Sequence, residues 1–143
     1  MVELNVSKDF DVAAEKVWAL LVDFGEFEKW WPIELDRFEL EGEGLGMIRH
    51  LYLNGLAEPV SERLDSLDHE NMVLCLSIIR VMPAGMTEYN ATGTITKTGP
   101  DSCRMDYKGV FTAEKGRDEG ASSFLLGAYE TMFQGIGDTA KQM

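Results

Sequence analysis

The chain has 143 residues, of which 25 are acidic and 13 basic, for a formal net charge of -12. That charge repels nucleic-acid backbones and anionic bilayers, so neither is expected as a partner. No apolar run approaches the roughly 20 residues needed to cross a bilayer, and no basic-then-apolar leader opens the chain, so membrane insertion is not expected and the protein is read as cytoplasmic.

The length suits one domain, residues 1–143, with a real core. Cys75 and Cys103 fit a reducing compartment as small buried residues. His50 and His69 stand apart from any ligand cluster, so no metal is expected, and no phosphate-binding glycine motif, nucleophile elbow or other cofactor signature is present.

Residues 2–9 alternate apolar and polar, as a half-buried strand does. Val17, Leu20, Leu21 and Phe24 then recur at helical spacing, which predicts an amphipathic helix from Val12 that ends at Gly25. A second short helix is expected over Glu26–Trp30, stopped by Pro32. From Leu35 to Phe111 the chain reads as six strands: 35–41, 47–53, 59–67, 72–81, 88–97 and 103–112, separated by turn signals. A last helix is predicted over 119–142 with Asp118 as N-cap. Its interior glycines, Gly127, Gly135 and Gly137, mean either close helix packing or room left for a ligand. Strand, two helices, six strands and a long helix make an α+β chain. Its seven-stranded curved antiparallel sheet must wrap the C-terminal helix.

The most telling stretch is Val60–Asp68. Val60, Glu62 and Leu64 share one side, and Ser61, Arg63 and Asp65 share the other. The apolar side faces inward and takes Glu62 with it. A buried carboxylate needs a partner, a hydrogen bond or water. Two explanations stand: a hollow interior with a polar spot on its wall, or a salt bridge to Arg49 inside a filled sheet.

In order and spacing the residues resemble the START/SRPBCC helix-grip superfamily, nearest its polyketide cyclase/dehydrase-like branch. The carriers are Ala14–Leu21 with Phe24 and Trp30-Trp31-Pro32, then Gly44–Arg49, Ser61–Leu64, Leu67-Asp68, Tyr89 and Tyr107-x-Gly109-x-Phe111. The resemblance covers nearly the whole chain. It implies a helix-grip fold (β-α-α-β6-α) with an internal cavity. The middle is also similar to plant abscisic-acid receptors in Asn54–Ala57, Ser61–Asp65 and Leu76–Ile79. By that likeness the loop 54–58 is a gate, the loop 81–86 is a latch, and Glu62 and Tyr89 face the ligand. The chain departs from those receptors where they anchor a carboxylate with lysine, since it has Glu34, Leu35 and Asp36 there. In such a meander Cys75 and Cys103 lie two strands apart, about 9–10 Å, too far for a disulfide.

Alternation supplies the candidate cavity wall. Tyr89, Ala91, Tyr107 and Phe111 point inward from the last two strands, while Arg104, Asp106 and Lys108 point out. Leu76 and Ile78 face in from 72–81. Leu51 and Leu53 do so from 47–53, with Arg49 on the same phase near the rim. A slip of one residue there would substitute His50 and Tyr52. Val60, Glu62, and Phe124, Leu125, Ala128, Tyr129 and Met132 of the last helix complete the wall, with Leu56 and Met82 at its mouth. Such a wall suits a small hydrophobic molecule, aromatic, polyketide or lipid-like. Three roles stay open: a non-enzymatic binding or carrier module, a cyclase, dehydrase or isomerase using Glu62 as general acid or base with Tyr89 as donor, and a protein-interaction module. The expected state is monomer or homodimer.

Overall fold

A computed structural model describes residues 1–143. Strand β1 (Val2–Phe10) leads into helix α1 (Ala14–Val22) and a 3-10 helix (Phe24–Lys29). Six strands follow: β2 (Arg37–Glu41), β3 (Ile48–Tyr52), β4 (Val60–Asp68), β5 (Val73–Ile79), β6 (Met86–Gly99) and β7 (Ser102–Ala113). Helix α2 (Asp118–Lys141) closes the chain. All seven strands form one antiparallel sheet in the order β1-β7-β6-β5-β4-β3-β2. This is the helix-grip arrangement that the element order predicts.

Period-two patterning builds the sheet. On β7, Cys103, Met105, Tyr107 and Phe111 are buried while Arg104, Asp106 and Lys108 are exposed. One irregularity matters. A bulge between Leu64 and Ser66 leaves Asp65 without a ladder partner, so Leu64 and Leu67 both reach the core side. Across the inner face lies α2, which buries Ala121, Leu125, Tyr129, Met132, Phe133, Ile136 and Ala140. These residues, α1 and the 3-10 helix join the sheet in one continuous hydrophobic core.

Four local expectations are corrected. Asp118 is the first residue of α2, not its cap. Arg117 holds the cap position with no side-chain hydrogen bond, and Asp118 and Glu119 instead place negative charge in the first turn. Gly25 does not end α1, which stops at Val22 with Asp23 as C-cap. The second helix is 3-10 and starts at Phe24, because the tighter turn buries both Phe24 and Phe27. Ser61, on the solvent phase of β4, is only 3% exposed because it lies against His50. Cys75 and Cys103 are both free thiols.

Glycines fix how closely the layers approach. A methyl group at Gly109 would overlap the Tyr129 hydroxyl, and one at Gly135 would overlap the Trp30 carbonyl oxygen. Gly137 meets only the Phe10 ring, and a methyl at Gly127 would touch nothing within 4 Å. The glycines of α2 therefore divide between close packing and open surface. Gly109→Ala and Gly135→Ala are expected to lose about 1–3 kcal/mol by overpacking. Gly127→Ala should gain up to about 1 kcal/mol through helix propensity. Urea unfolding measures all three, and a common sign would contradict this packing.

Candidate functional site

The polar centre of the interior is an ion pair built across two strands. Arg49 and Glu62 are direct partners in the β3–β4 ladder. Arg49 Nε donates to Glu62 Oε1 at 2.8 Å. Both side chains are largely withdrawn from water, Arg49 at 6% exposure and Glu62 at 15%. The 3-10 helix supplies further support. Arg49 Nη1 donates to the Phe24 carbonyl at 3.2 Å, and the guanidinium carbon lies 3.8 Å from the Phe24 ring centroid and 4.6 Å from that of Phe27. Desolvating two ions is expensive. Here the expense is offset by mutual charge, a carbonyl and two aromatic faces. Glu62 is paired with Arg49, as the second explanation has it, but the interior around the pair is not filled, since Glu62 also lines a cavity.

Beside the ion pair stand three phenols. The Tyr89 hydroxyl on β6 lies 2.6 Å from the Tyr129 hydroxyl on α2. The Tyr107 ring on β7 meets Tyr129 edge-on at 4.9 Å. Small residues make the room: Gly93 lies under the Tyr107 ring, and Gly109 under the Tyr129 hydroxyl.

These groups border a cavity of about 80 Å³ between the sheet and α2, lined by 16 residues of which all but Arg49 and Glu62 are hydrophobic. Twelve predicted positions line it: Leu51, Leu53, Val60, Glu62, Ile78, Tyr89, Tyr107, Phe124, Leu125, Ala128, Tyr129 and Met132. Arg49 and Leu51 share the inward phase of β3, which Leu53 continues just past its end, while His50 and Tyr52 face outward.

Five predicted positions do not reach this cavity. Ala91 and Phe111 have the inward phase but are 1% exposed, sealed in the core. Leu76 lines a smaller adjoining void of about 20 Å³. Leu56 is 38% exposed on the β3–β4 loop, and Met82 borders a separate surface hollow. Neither loop 54–58 nor loop 81–86 contributes a lining residue in this conformation. Phe27, Trp30 and Trp31 were missed as lining residues. Their signal was density: three aromatics within five residues before a proline exceed what a short helix can bury on itself. The indole nitrogens of Trp30 and Trp31 are buried donors without a partner.

A second chain of polar contacts lies on the outer face. Ser61 Oγ is 2.8 Å from His50 Nδ1, and His50 Nε2 is 3.4 Å from Glu41 Oε1, which also receives Arg80. The order imitates a nucleophile, base and acid. Ser61 nonetheless lies near the start of β4, paired on both sides and only 3% exposed at the floor of a surface hollow, and no oxyanion donor accompanies it, so the trio is read as structural. The network fastens the β5–β6 loop to the β2 edge. His69 likewise serves structure: it is exposed on the β4–β5 turn and accepts the Trp18 indole N–H at 3.3 Å.

Burial, with the neighbouring phenols, pushes Tyr89 well above the ordinary tyrosine range. Tyr107 is raised by burial and then by the Glu62 charge. Tyr129 is raised to about 12, again chiefly by burial. Tyr52, on the surface, is raised by its hydrogen bond to Glu39. All four tyrosines thus bind their protons more tightly when folded. Stability from this source is complete below the unfolded-chain value near 10 and is lost as pH rises through the folded values. Tyrosinate absorbance is expected to stay low just above pH 10 and then to appear together with unfolding. Independent titration of three of the four tyrosines near pH 10 in folded protein would contradict this.

Comparison with known proteins agrees with this architecture. No curated protein matches the sequence. Norcoclaurine synthase from Thalictrum flavum, solved with dopamine and hydroxybenzaldehyde, superposes with a TM-score of 0.84 at 17% identity, covering 99% of this chain and 87% of that one. XoxI from Bacillus cereus gives 0.82 at 23% identity, with 96% and 94% covered. An uncharacterised protein from Bacillus thuringiensis gives 0.82 at 23%, with 97% and 98% covered. These likenesses show the fold. The family described as polyketide cyclase/dehydrase and lipid transport matches residues 1–140. With the match spanning nearly every element described above, the chain belongs to the polyketide cyclase/dehydrase and lipid transport family.

Proposed function

We propose that this chain binds a small hydrophobic molecule, aromatic, polyketide or lipid-like, in the cavity between the sheet and α2. One observation carries the reading. The core leaves space unfilled at the place where its polar groups are gathered, the Arg49–Glu62 pair and three phenols. Protein interiors are otherwise close-packed, and polar groups are otherwise kept out of them.

Size narrows the ligand. A cavity of ~150 Å³ accepts benzene, and the one here is about 80 Å³. A one-ring molecule therefore enters by displacing side chains on the open side. Trp31, Leu53 and Phe124 are the large apolar lining residues that are only half-buried, so displacing them gives up the least packing. Norcoclaurine synthase, with its dopamine and hydroxybenzaldehyde, holds molecules of this size class in the same fold.

A catalytic version of this reading is favoured by Glu62 and the tyrosine hydroxyls sharing one cavity. Glu62 would take a proton beside a carbonyl while a phenol donates to the developing oxyanion. Arg49 already occupies one carboxylate oxygen, and Tyr89 is engaged with Tyr129. Both contacts hold the groups in place more than they free them to react, so binding is the better supported role.

Native mass spectrometry of gently purified protein tests the reading, followed by titration with small aromatic compounds. Saturable one-to-one binding is the expected result. Ala128→Leu, which adds three carbons and no ring, should fill the cavity from α2, abolishing binding while changing the melting temperature little. Binding that survives this substitution would place the ligand elsewhere. If the chain is instead an enzyme, Glu62→Gln should reduce turnover of a bound substrate by about 100-fold or more. In a carrier there is no turnover to lose.

A further inference from the structure

Resting on that reading, we propose that the cavity selects a neutral molecule bearing a hydroxyl group, held across the Arg49–Glu62 pair, and rejects both carboxylates and ammonium ions. The geometry supplies half of each contact. Arg49 Nε is spent on Glu62 Oε1, and Nη1 on the Phe24 carbonyl. Glu62 Oε2 accepts no hydrogen bond from the protein, and Arg49 Nη2 donates none. Neither atom is sealed in the core, because the only fully buried side-chain nitrogens or oxygens without a partner are the two indole nitrogens. Both residues line the cavity. An acceptor and a donor are therefore left unpaired and not fully buried on adjacent residues that both line the cavity, Arg49 also bordering the adjoining void of about 20 Å³. A hydroxyl is the smallest group that can donate to one and accept from the other.

Charge decides against the alternatives. The pair is a dipole with no net charge, and no other ionised side chain lines the cavity. A carboxylate drawn to Arg49 meets Glu62 beside it, and an ammonium drawn to Glu62 meets Arg49. Either ion leaves its hydration behind for an attraction largely cancelled by the neighbouring repulsion. The phenols and indoles add hydrogen-bonding groups without adding charge. A neutral hydroxyl gives up far less hydration and satisfies both open atoms, which are ionised and so make the stronger class of hydrogen bond.

The test uses one ring with five substituents: toluene, benzyl alcohol, benzyl methyl ether, benzoate and benzylamine. Each is titrated at neutral pH into the wild-type chain, with amide chemical shifts as the readout. Benzyl alcohol is expected to bind about tenfold or more tighter than benzoate and benzylamine, and several-fold tighter than the ether, which cannot donate. Glu62→Gln should move the preference toward benzoate, and Arg49→Met toward benzylamine. Equal or tighter binding of either ion, or of the ether, by the wild-type protein overturns the inference. So does binding of toluene as tight as that of the alcohol, although the cavity reading then survives. Failure of all five, toluene included, removes the cavity reading and this inference with it. The wild-type series decides the matter even if a variant does not fold.

Discussion

The interior is organised around one buried ion pair. Arg49 and Glu62 sit opposite each other on neighbouring strands, so the sheet itself brings them together without a loop having to close. What the sheet cannot supply is a cover. That comes from the 3-10 helix, whose Phe24 offers a carbonyl and whose Phe24 and Phe27 rings lie against the guanidinium. The short helix is thus held to the sheet by a cation as well as by apolar contact. Removing either charge would strand the other beneath two aromatic rings. The aromatic residues that follow pack on Phe27, Trp30 edge-on and Trp31 stacked, and become one wall of the cavity. Pair, cover and wall form one connected construction.

Much of this was legible in the sequence, and the limits of legibility are physical. Period-two alternation tells which face a strand residue occupies, so the inward phases of β4, β6 and β7 could be read directly, while β3, apolar or bulky on both phases, left its register open between Leu51 and His50. Alternation does not report depth. Ala91 and Phe111 share the phase of Tyr89 and Tyr107, yet they lie sealed in the core while the tyrosines reach the cavity. Nor does alternation anticipate a bulge, which is why Leu67 joins the core side that Ser66 would otherwise face. Phe24, Phe27 and Trp30 do recur at the 3-10 interval of three, but the run is too short to be told from the end of an α-helix, and Trp31 falls outside it. Loop residues such as Leu56 and Met82 are placed by tertiary geometry alone. The placement of Asp118 shows the limit of a local rule, since a good capping residue became the first helical residue when the preceding Arg117 took the cap conformation.

The chemistry of the cavity is that of restraint. Its phenols hold their protons, its carboxylate is matched by a guanidinium, and two hydroxyls are bonded to each other. Groups so arranged suit the proposed binding role, because they can exchange hydrogen bonds without changing their own charge. Family membership spans proteins described by cyclisation, dehydration and transport alike, and the fold hosts all of them because the cavity, not the topology, determines what happens inside. In this chain the strong net negative charge of the surface is not repeated within, where the ion pair sums to zero.

Two close approaches described for the glycines have a mechanical consequence. Gly135 seats α2 against the Trp30 backbone, and Tyr129, six residues earlier on the helix, lodges over Gly109. A helix fixed at two points along its length can neither slide nor roll without a clash. The compliance of the cavity must then reside on one side, in Trp31, Phe124 and the residues around them. On the proposed binding reading, a change of ligand size would be recorded in the side chains of Trp31 and Phe124, the half-buried aromatics of the lining, while the α2 backbone and the sheet stay where they are.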